Sequence, residues 1–361
     1  MLELIDSPPI AVAASPGPRR SSGTARALVT GGSGFLGQHL VAALARRSQA
    51  VRIFDLTTPA VLPSGVEYVR GSVLDHATAL QALDGITCVY HLAGMAHLWT
   101  ADHADFDRIN NIGTEVMLGA ARKMGVGRFL HCSTEVVLLP PQRRDRPIDE
   151  TVTLGLADMA GPYSRSKYLA EQAAFAASAQ GQDVVVVNPT IPVGAGDRNH
   201  TPPTAMLAHY LSGSHFFLDC MLNLVDARDI ADGMMLAAER GRRGERYVLG
   251  GENVPLAELL RTLERICGRR TARLRVPPLL ARATGSASEW IANNLTGRAP
   301  IATVEGVRLA LRSSRFDSNK AARELGYAPR PIEDALIAAT RWLINDGHLS
   351  RNPGLAEAPV V

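Results

Sequence analysis

Lysine is almost missing. The 361 residues carry it only at Lys123, Lys167 and Lys320, although Lys and Arg together number 38. Arginine therefore bears the positive charge, and against 35 acidic residues the net is only +3, scattered rather than striped. Nucleic acid is not implied as a partner. Cysteine is scarce as well. Cys88, Cys132, Cys220 and Cys267 are widely spaced, and three lie in apolar or helical surroundings, which suits reduced core residues better than bridges or a metal site. A reducing, cytoplasmic compartment and no bound metal are the expectation. No apolar run reaches the roughly 20 residues that span a bilayer, so the chain reads as soluble or at most peripheral to a membrane. The first 25 residues have neither the basic start nor the long apolar stretch of a secretory signal. With Pro8, Pro9, Pro16 and Pro18 among small residues they read as a disordered extension, and 350–361 as a flexible tail.

What is present begins at Arg26. An apolar run ends at Thr30, the glycines Gly31, Gly34 and Gly37 follow, and Leu36, Leu40, Val41 and Leu44 then repeat with helical spacing. In such a strand, turn and helix, Gly31 permits a tight turn, Gly34 lets backbone N–H groups approach a pyrophosphate, and Gly37 allows close packing of helix on strand. The helix N-terminus then faces the anion. The next strand ends in Asp55, roughly 20 residues beyond the last glycine, where an acid holds both ribose hydroxyls of an adenosine. That acid repels a 2′-phosphate, and no Arg follows it directly. NAD is favoured over NADP.

Further strands are expected at Val66 to Val69, at Cys88 to Leu92 and at Arg128 to Cys132, with a sixth, apolar enough to be buried on both faces, at Asp183 to Asn188. Phe106 to Met124 reads as one long helix with Asn110 and Asn111 solvated or capping in its first half. Ser133 and Thr134 stand at the C-terminal edge of their strand, where chemistry is expected in a doubly wound sheet, although either hydroxyl serves equally well to cap a turn. Trp99 is a substrate wall or a packed side chain. The clearest pair is Tyr163 and Lys167, four apart on a helix that Pro162 opens and that runs to about Ala179. A cation beside a phenol favours the phenolate and lowers its pKa toward the working range of a proton-transferring group. With so few lysines, coincidence explains the pair poorly. From Pro189 to Pro203 prolines and glycines predict a long irregular binding loop. The strand near Leu222 to Val225, the helix from Arg228 to Arg240 and the strand from Arg246 to Leu249 then look like a return to the sheet.

Taken together, these motifs resemble the extended short-chain dehydrogenase/reductases, the NAD(P)-dependent epimerases, dehydratases and 3β-hydroxysteroid dehydrogenases, from about Arg26 to Leu349. The resemblance is carried by Thr30 to Gly37, His91-Leu92-Ala93-Gly94, Asn110 to Thr114, Ser133-Thr134, and Tyr163 with Lys167. Asn188 to Gly194, Thr201 to Thr204, Leu222 to Val225 and Arg246 to Asn253 look most like the hopanoid-associated sugar epimerases, themselves close to dihydroflavonol reductases. The resemblance implies an α/β fold: a doubly wound parallel sheet of Rossmann type with a smaller, mainly helical C-terminal cap. Residues 26–188, with returning segments about 222–250, would form the NAD-binding domain, and 189–221 with 251–349 the substrate-binding region. It implies Tyr163 as general acid/base, Lys167 for the nicotinamide ribose and the phenolate, Thr134 for the reacting oxygen and Asn110 for a proton relay. Phe35, Leu36, Ser72, Val73, Leu92, Ala93, Gly94, Asn188 and Pro189 would join the glycines and Asp55 around the cofactor. His97, Trp99, Thr134 and Thr190 would meet the substrate. Three departures stand out: Ser72 replaces an Asp that faces adenine, Leu138-Leu139 replaces Tyr-Gly, and Asn188 replaces an Arg usual in sugar-nucleotide enzymes.

The expected activity is reversible hydride transfer at a secondary alcohol or ketone of a sugar or a sugar-bearing lipid precursor. The alternatives are a steroid- or flavonol-like apolar substrate, and an NAD-binding sensor or scaffold without turnover. A homodimer is left open. One apolar segment, Leu274 to Leu295 with Leu279, Leu280 and Trp290, is interleaved with Arg273, Arg275, Arg282 and Arg298. It reads as a cap helix buried on its own domain, with exposure at the pocket mouth or a membrane surface as the alternative.

Overall fold

The computed structural model describes residues 26–268, 271, 273–347 and 349; the expected N-terminal extension and C-terminal tail lie outside the described residues. In chain order, β1 (Arg26–Thr30), α1 (Phe35–Arg46), β2 (Ala50–Asp55), β3 (Glu67–Arg70), α2 (His76–Ala82) and β4 (Cys88–His91) form the first half. A short α3 (Ala104–Phe106) passes through a π-helical stretch, Asp107–Ile112, into α4 (Gly113–Lys123), and β5 (Arg128–Cys132), α5 (Pro162–Ala179) and β6 (Val184–Pro189) complete the second. After these come β7 (Ile191–Val193), α6 (Pro202–Leu211), β8 (Phe216–Phe217), β9 (Met221–Asp226), α7 (Ala227–Arg240), β10 (Arg246–Leu249) and β11 (Glu252–Pro255). The C-terminal part holds α8 (Leu256–Cys267), β12 (Leu274–Arg275), α9 (Pro278–Ile291), α10 (Val304–Arg312), α11 (Asn319–Leu325) and α12 (Ile332–Asn345).

Seven strands pair in parallel in the order β10-β6-β5-β4-β1-β2-β3. The order reverses between β1 and β4, and the carboxyl ends of those strands open the crevice where a doubly wound sheet binds its ligand. Every residue of β6 is buried, as its unbroken valine run requires of a strand covered on both faces. One layer of core joins Leu40 and Leu44 of α1 to Ile230 and Met234 of α7. The other joins Ala79 of α2, Met117 of α4 and Ala174 of α5 beneath Phe54 and Phe129. A third core, with Leu207, Leu259, Leu263 and Leu336, lies under a separate sheet of order β11-β9-β7.

Three local expectations are corrected. The strand over Leu222 to Val225 does not rejoin the main sheet: β9 pairs with β7 and β11, and only β10 returns. The expected irregular loop after Pro189 contains β7 and α6, because Pro202 and Pro203 occupy the first turn of a helix, where a missing N–H costs nothing. The reading of Leu274 to Leu295 as buried cap also fails. Leu279 is 79% exposed, Trp290 58% and Leu295 69%. α9 packs instead by its small residues: Ala281 and Gly285 are buried, and a side chain on Gly285 would meet Val307 and Thr303 of the neighbouring α10 at 3.2 and 3.3 Å.

Candidate active site

The glycine turn after β1 is built to hold a dinucleotide. Gly31 adopts φ +69°, and a Cβ there would sit 2.7 Å from the Ala93 nitrogen. A Cβ on Gly37 would strike the Gly31 carbonyl oxygen. Gly34 is the N-cap of α1, and no side chain caps that first turn, which leaves its N–H groups for an anion. Asp55, at the end of β2, accepts from the Ser33 N–H through Oδ2 and from the Thr57 N–H through Oδ1, both at 3.0 Å. The acid thus braces the turn on which a pyrophosphate would rest. Phe35 is buried, edge-on to His39, and Leu36 is partly buried beside the α1 core. Ser72 accepts from the Leu74 N–H, and Val73 is core, pressed against Gly113. These residues fit NAD: it would lie over the glycine turn with its ribose at Asp55.

A buried hydrogen-bond chain sets the wall after β4. Ala93 N–H donates to Thr30 Oγ1 at 3.2 Å, Thr30 Oγ1 lies 2.8 Å from His91 Nδ1, and His91 Nε2 lies 3.0 Å from Thr114 Oγ1. Thr114 donates its own proton to the Asn110 carbonyl at 2.6 Å, which assigns the His91 proton to Nε2 and leaves Nδ1 as acceptor. Burial pushes the His91 pKa down to about 3, so the ring is neutral. Leu92, half-buried, and Gly94, exposed, follow on this edge.

Asn110 is buried, contrary to the solvated or capping reading. Its Oδ1 accepts from the Met95 N–H at 2.7 Å, and its Nδ2 donates to the Met95 carbonyl and, at 2.9 Å, to Ser166 Oγ. Ser166 in turn donates to the Tyr163 carbonyl at 2.8 Å. The side chain thus ties the loop after β4 to the helix of Tyr163, and both its donors are occupied in doing so.

The Tyr163 ring is buried, edge-on to Phe106 with centroids 6.1 Å apart, and Thr134 at the end of β5 is a polar neighbour of its hydroxyl. Thr134 Oγ1 caps the turn after β5 by accepting from the Val136 N–H. Here the expected phenol–ammonium coupling is corrected. Burial raises the phenol pKa above its ordinary value, the neighbouring Thr134 hydroxyl opposes this, and Glu305, Cys132 and Glu135 add to the rise. The Lys167 ammonium, its pKa lowered by burial, donates to the Cys132 carbonyl at 2.8 Å. The helical spacing puts both groups on one face of α5, and the carbonyl end of β5 holds the lysine.

Asn188 is fully buried and donates through Nδ2 to the Thr134 carbonyl and to Glu171 Oε2 at 3.1 and 2.8 Å. Glu171 also pairs with Arg246 at 3.0 Å. Asn188 therefore backs the Thr134 strand end, with buried Pro189 after it. The structure does not bring the Thr190 hydroxyl to this surface: it is buried and bonds Asn223 Oδ1 at 2.8 Å. His97 and Trp99 are half-buried in the loop after β4, and Trp99 Nε1 donates to Asn293 at 2.8 Å, fastening that loop to the end of α9.

Sequence reasoning missed Glu305. From α10 it accepts from the Tyr163 and Ser164 N–H groups at 3.0 and 2.7 Å. Two cavities flank that contact. One of about 410 Å³ is lined by Pro141, Arg282, Val304, Val307, Arg308 and Arg312 among others. A smaller one of about 150 Å³ runs between Leu98, His103, Pro162, Glu289, Glu305 and Arg308. Neither is lined by Tyr163 or Thr134. The smaller one touches α5 only at its first residue, Pro162, with Ala160 and Gly161 before it.

Fold and motifs define an enzyme of the short-chain dehydrogenase/reductase class, in its extended form with a helical C-terminal region. Comparison with known proteins gives the family: residues 27–250 match its model, and the chain belongs to the NAD dependent epimerase/dehydratase family. A protein named as a dihydroflavonol 4-reductase from Synechocystis sp. is 33% identical over 331 residues, covering 89% of this chain and 95% of that one. The crystal structure of gox2253 superposes with a TM-score of 0.78 at 32% identity, over 91% of this chain and 100% of the other. DesIV, a dTDP-glucose 4,6-dehydratase from Streptomyces venezuelae solved with NAD and TYD bound, superposes with a TM-score of 0.73 at 25% identity, over 90% and 99%.

Proposed function

We propose that the protein catalyses reversible, NAD-dependent hydride transfer at a secondary alcohol or ketone of an amphiphilic substrate, a sugar-bearing lipid precursor or a sugar nucleotide. The observation that carries this reading is the buried pair Tyr163 and Lys167 on one face of α5 at the carboxyl edge of the sheet, the lysine fixed to the Cys132 carbonyl. NAD supplies or accepts the hydride when bound. The chain does the rest: Tyr163 Oη gives a proton to the carbonyl oxygen in reduction and takes it from the hydroxyl in oxidation, while Thr134 Oγ1 orients that oxygen. Lys167 holds a positive charge near the nicotinamide ribose, and Asp55 selects NAD over NADP by repelling a 2′-phosphate.

Support for an amphiphile comes from the larger cavity, where Arg282, Arg308 and Arg312 stand among Pro141, Val304 and Val307. An apolar body with an anionic head matches that lining. The name of the Synechocystis relative supports a second reading, a flavonol- or steroid-like substrate with no anionic group. The outer face of α9 supports peripheral contact with an anionic lipid surface: Leu279, Leu280, Trp290 and Ile291 are exposed within about 120° of the helix circumference, with exposed Arg282 and Arg298 beside them.

A screen of sugar nucleotides, sugar-phosphate lipids, sterols and flavonol-type ketones, read by NADH absorbance with Tyr163→Phe as control, tests the reading. Turnover that is lost in Tyr163→Phe is expected for an anionic member of the panel. Turnover confined to uncharged sterols or flavonols would favour the second reading, and turnover that survives Tyr163→Phe would refute the assigned chemistry.

A further inference from the structure

The helix that carries Tyr163 begins at a residue with no side chain to cap it, and its own Ser164 Oγ accepts only the N–H of that N-cap residue, at 3.0 Å. Its N-cap is Gly161, and Pro162 at the first position has no N–H to satisfy. The Arg165 N–H reaches the Gly161 carbonyl at 3.0 Å, which leaves the N–H groups of Tyr163 and Ser164 as the donors in want of a partner. Both go to one carboxylate that arrives from a distant part of the chain, Glu305 on α10. The fit is close: a Cβ on Gly161 would sit 2.5 Å from Glu305 Oε2. Glu305 itself is 3% exposed, so its charge is held by those two N–H groups and the positive end of the helix.

Glu305 does not act alone. Arg308 and Arg312 follow it at three and seven residues, on the same face of α10. Arg308 Nη1 donates to the Ala160 carbonyl at 2.8 Å, and Arg312 Nη1 to the Asp158 carbonyl at 2.6 Å. One face of α10 therefore grips the chain from Asp158 to Ser164, the segment that leads into the catalytic helix. Two of these three residues, Arg308 and Arg312, also line the larger cavity, and Glu305 and Arg308 line the smaller one.

We propose that Glu305 is a positioning residue for the reaction, the point at which α10 couples the substrate-side cavities to the placement of the Tyr163 phenol. The proposal rests on the assignment of Tyr163 as the proton-transferring group. A substrate that moves Arg308 or Arg312 moves the grip on Asp158 and Ala160, and Glu305 carries the displacement to the first turn of α5. Its charge acts on the phenol as well. The groups facing Tyr163 are Thr134, Cys132 and Glu135 at the end of β5 and in the following turn, Phe106 of α3, and Glu305 of α10, with Glu289 of α9 facing Glu305 in turn. Glu305 is the anion bound to the tyrosine's own backbone, and a negative charge there disfavours the phenolate.

The test compares Glu305→Gln, Glu305→Ala and Gly161→Ala in the full chain with NAD(H) and the best substrate of the screen above. Glu305→Gln keeps one acceptor and loses the charge. We expect kcat to fall by about 10- to 100-fold, the scale of a small misplacement of a reacting group, with KM and NAD affinity within about twofold. The alkaline limb of the pH profile, set by the phenol, should move to lower pH. Glu305→Ala should lower kcat further. Gly161→Ala displaces the carboxylate without removing its charge and should lower kcat with a smaller shift of the profile. Exchange of the Tyr163 and Ser164 amides, faster in every variant that folds, reports the same contact without turnover. A folded Glu305→Gln protein with unchanged kcat and pH profile, in an enzyme that Tyr163→Phe inactivates, would overturn the role of Glu305 and leave that of Tyr163 standing. Loss of melting temperature alone would make Glu305 a structural cap only.

Discussion

Lys167 Nζ lies 2.8 Å from the carbonyl oxygen of Cys132, and this bond fixes the ammonium at the end of β5. Burial on the sheet lowers the lysine's pKa, so its charge depends on such partners. Lys167→Ala should therefore cost both turnover and cofactor affinity if the ammonium that Cys132 positions serves the nicotinamide ribose as proposed. Calorimetry with NAD and steady-state rates read the two losses separately. Unchanged NAD affinity in a folded variant would confine the lysine to proton chemistry.

Tyr163→Phe should keep the edge-on packing on Phe106 while removing the transferable proton. Turnover should fall by about 10² to 10⁴, with NAD still bound. Since burial raises the phenol pKa, Tyr163 is protonated across the neutral range and suited to donate. Reduction should thus be flat near neutrality and decline at alkaline pH, whereas alcohol oxidation, which needs the phenolate, should climb as pH rises. Oxidation that falls with rising pH below the phenol's range would contradict this sign.

Asp55 binds two backbone N–H groups as well as the expected ribose. Asp55→Ala should narrow the gap between NADH and NADPH and should also weaken NADH, because the Ser33 and Thr57 N–H groups lose their acceptor. Titration of both cofactors tests this, and tighter NADPH binding by the unaltered protein would refute the charge argument.

The Glu171–Arg246 pair lies beneath the site, with Glu171 1% and Arg246 18% exposed as side chains. Arg246 also donates to the carbonyls of Glu150 and Val152. Arg246→Ala would strand a buried carboxylate and two carbonyl acceptors, so urea unfolding should register a loss of about 3–5 kcal/mol. A loss below about 1 kcal/mol would mean that water replaces the guanidinium.

The parts of the molecule legible in sequence are those set by local pattern. A glycine turn between a short apolar run and a helical repeat specifies β1, its turn and α1 on its own, and an all-valine run announces a strand covered on both faces. Tyr163 and Lys167 were legible because helical spacing alone brings them to one face. Glu305 was not: it follows Thr303 at the start of α10, where an acid is an ordinary first-turn residue, and its partners lie about 140 positions earlier. The destination of β9 was hidden for a related reason, since an apolar strand carries no mark of which sheet it joins. In α9 the error came from counting large apolar residues, when the packing stripe is written in Ala281 and Gly285, whose size lets α10 approach.

That inverted pattern in α9 gives the last prediction. A helix that buries alanine and glycine and presents leucine, isoleucine and tryptophan to solvent holds its apolar face for something outside the fold. Arg273 and Arg275 nearby are spoken for by Glu264 and Asp219, while Arg282 and Arg298 are exposed, and the proposed anionic lipid surface would satisfy both apolar and basic groups. The protein should co-sediment with vesicles containing anionic lipid at low salt and release as salt rises, since screening weakens the arginine contribution. Replacing Leu279 and Trp290 by polar residues should weaken that association and leave the melting temperature nearly unchanged, because neither side chain is part of the core. Self-association of the unaltered protein that these substitutions abolish, with no vesicle binding, would assign the face to a second copy of the chain instead.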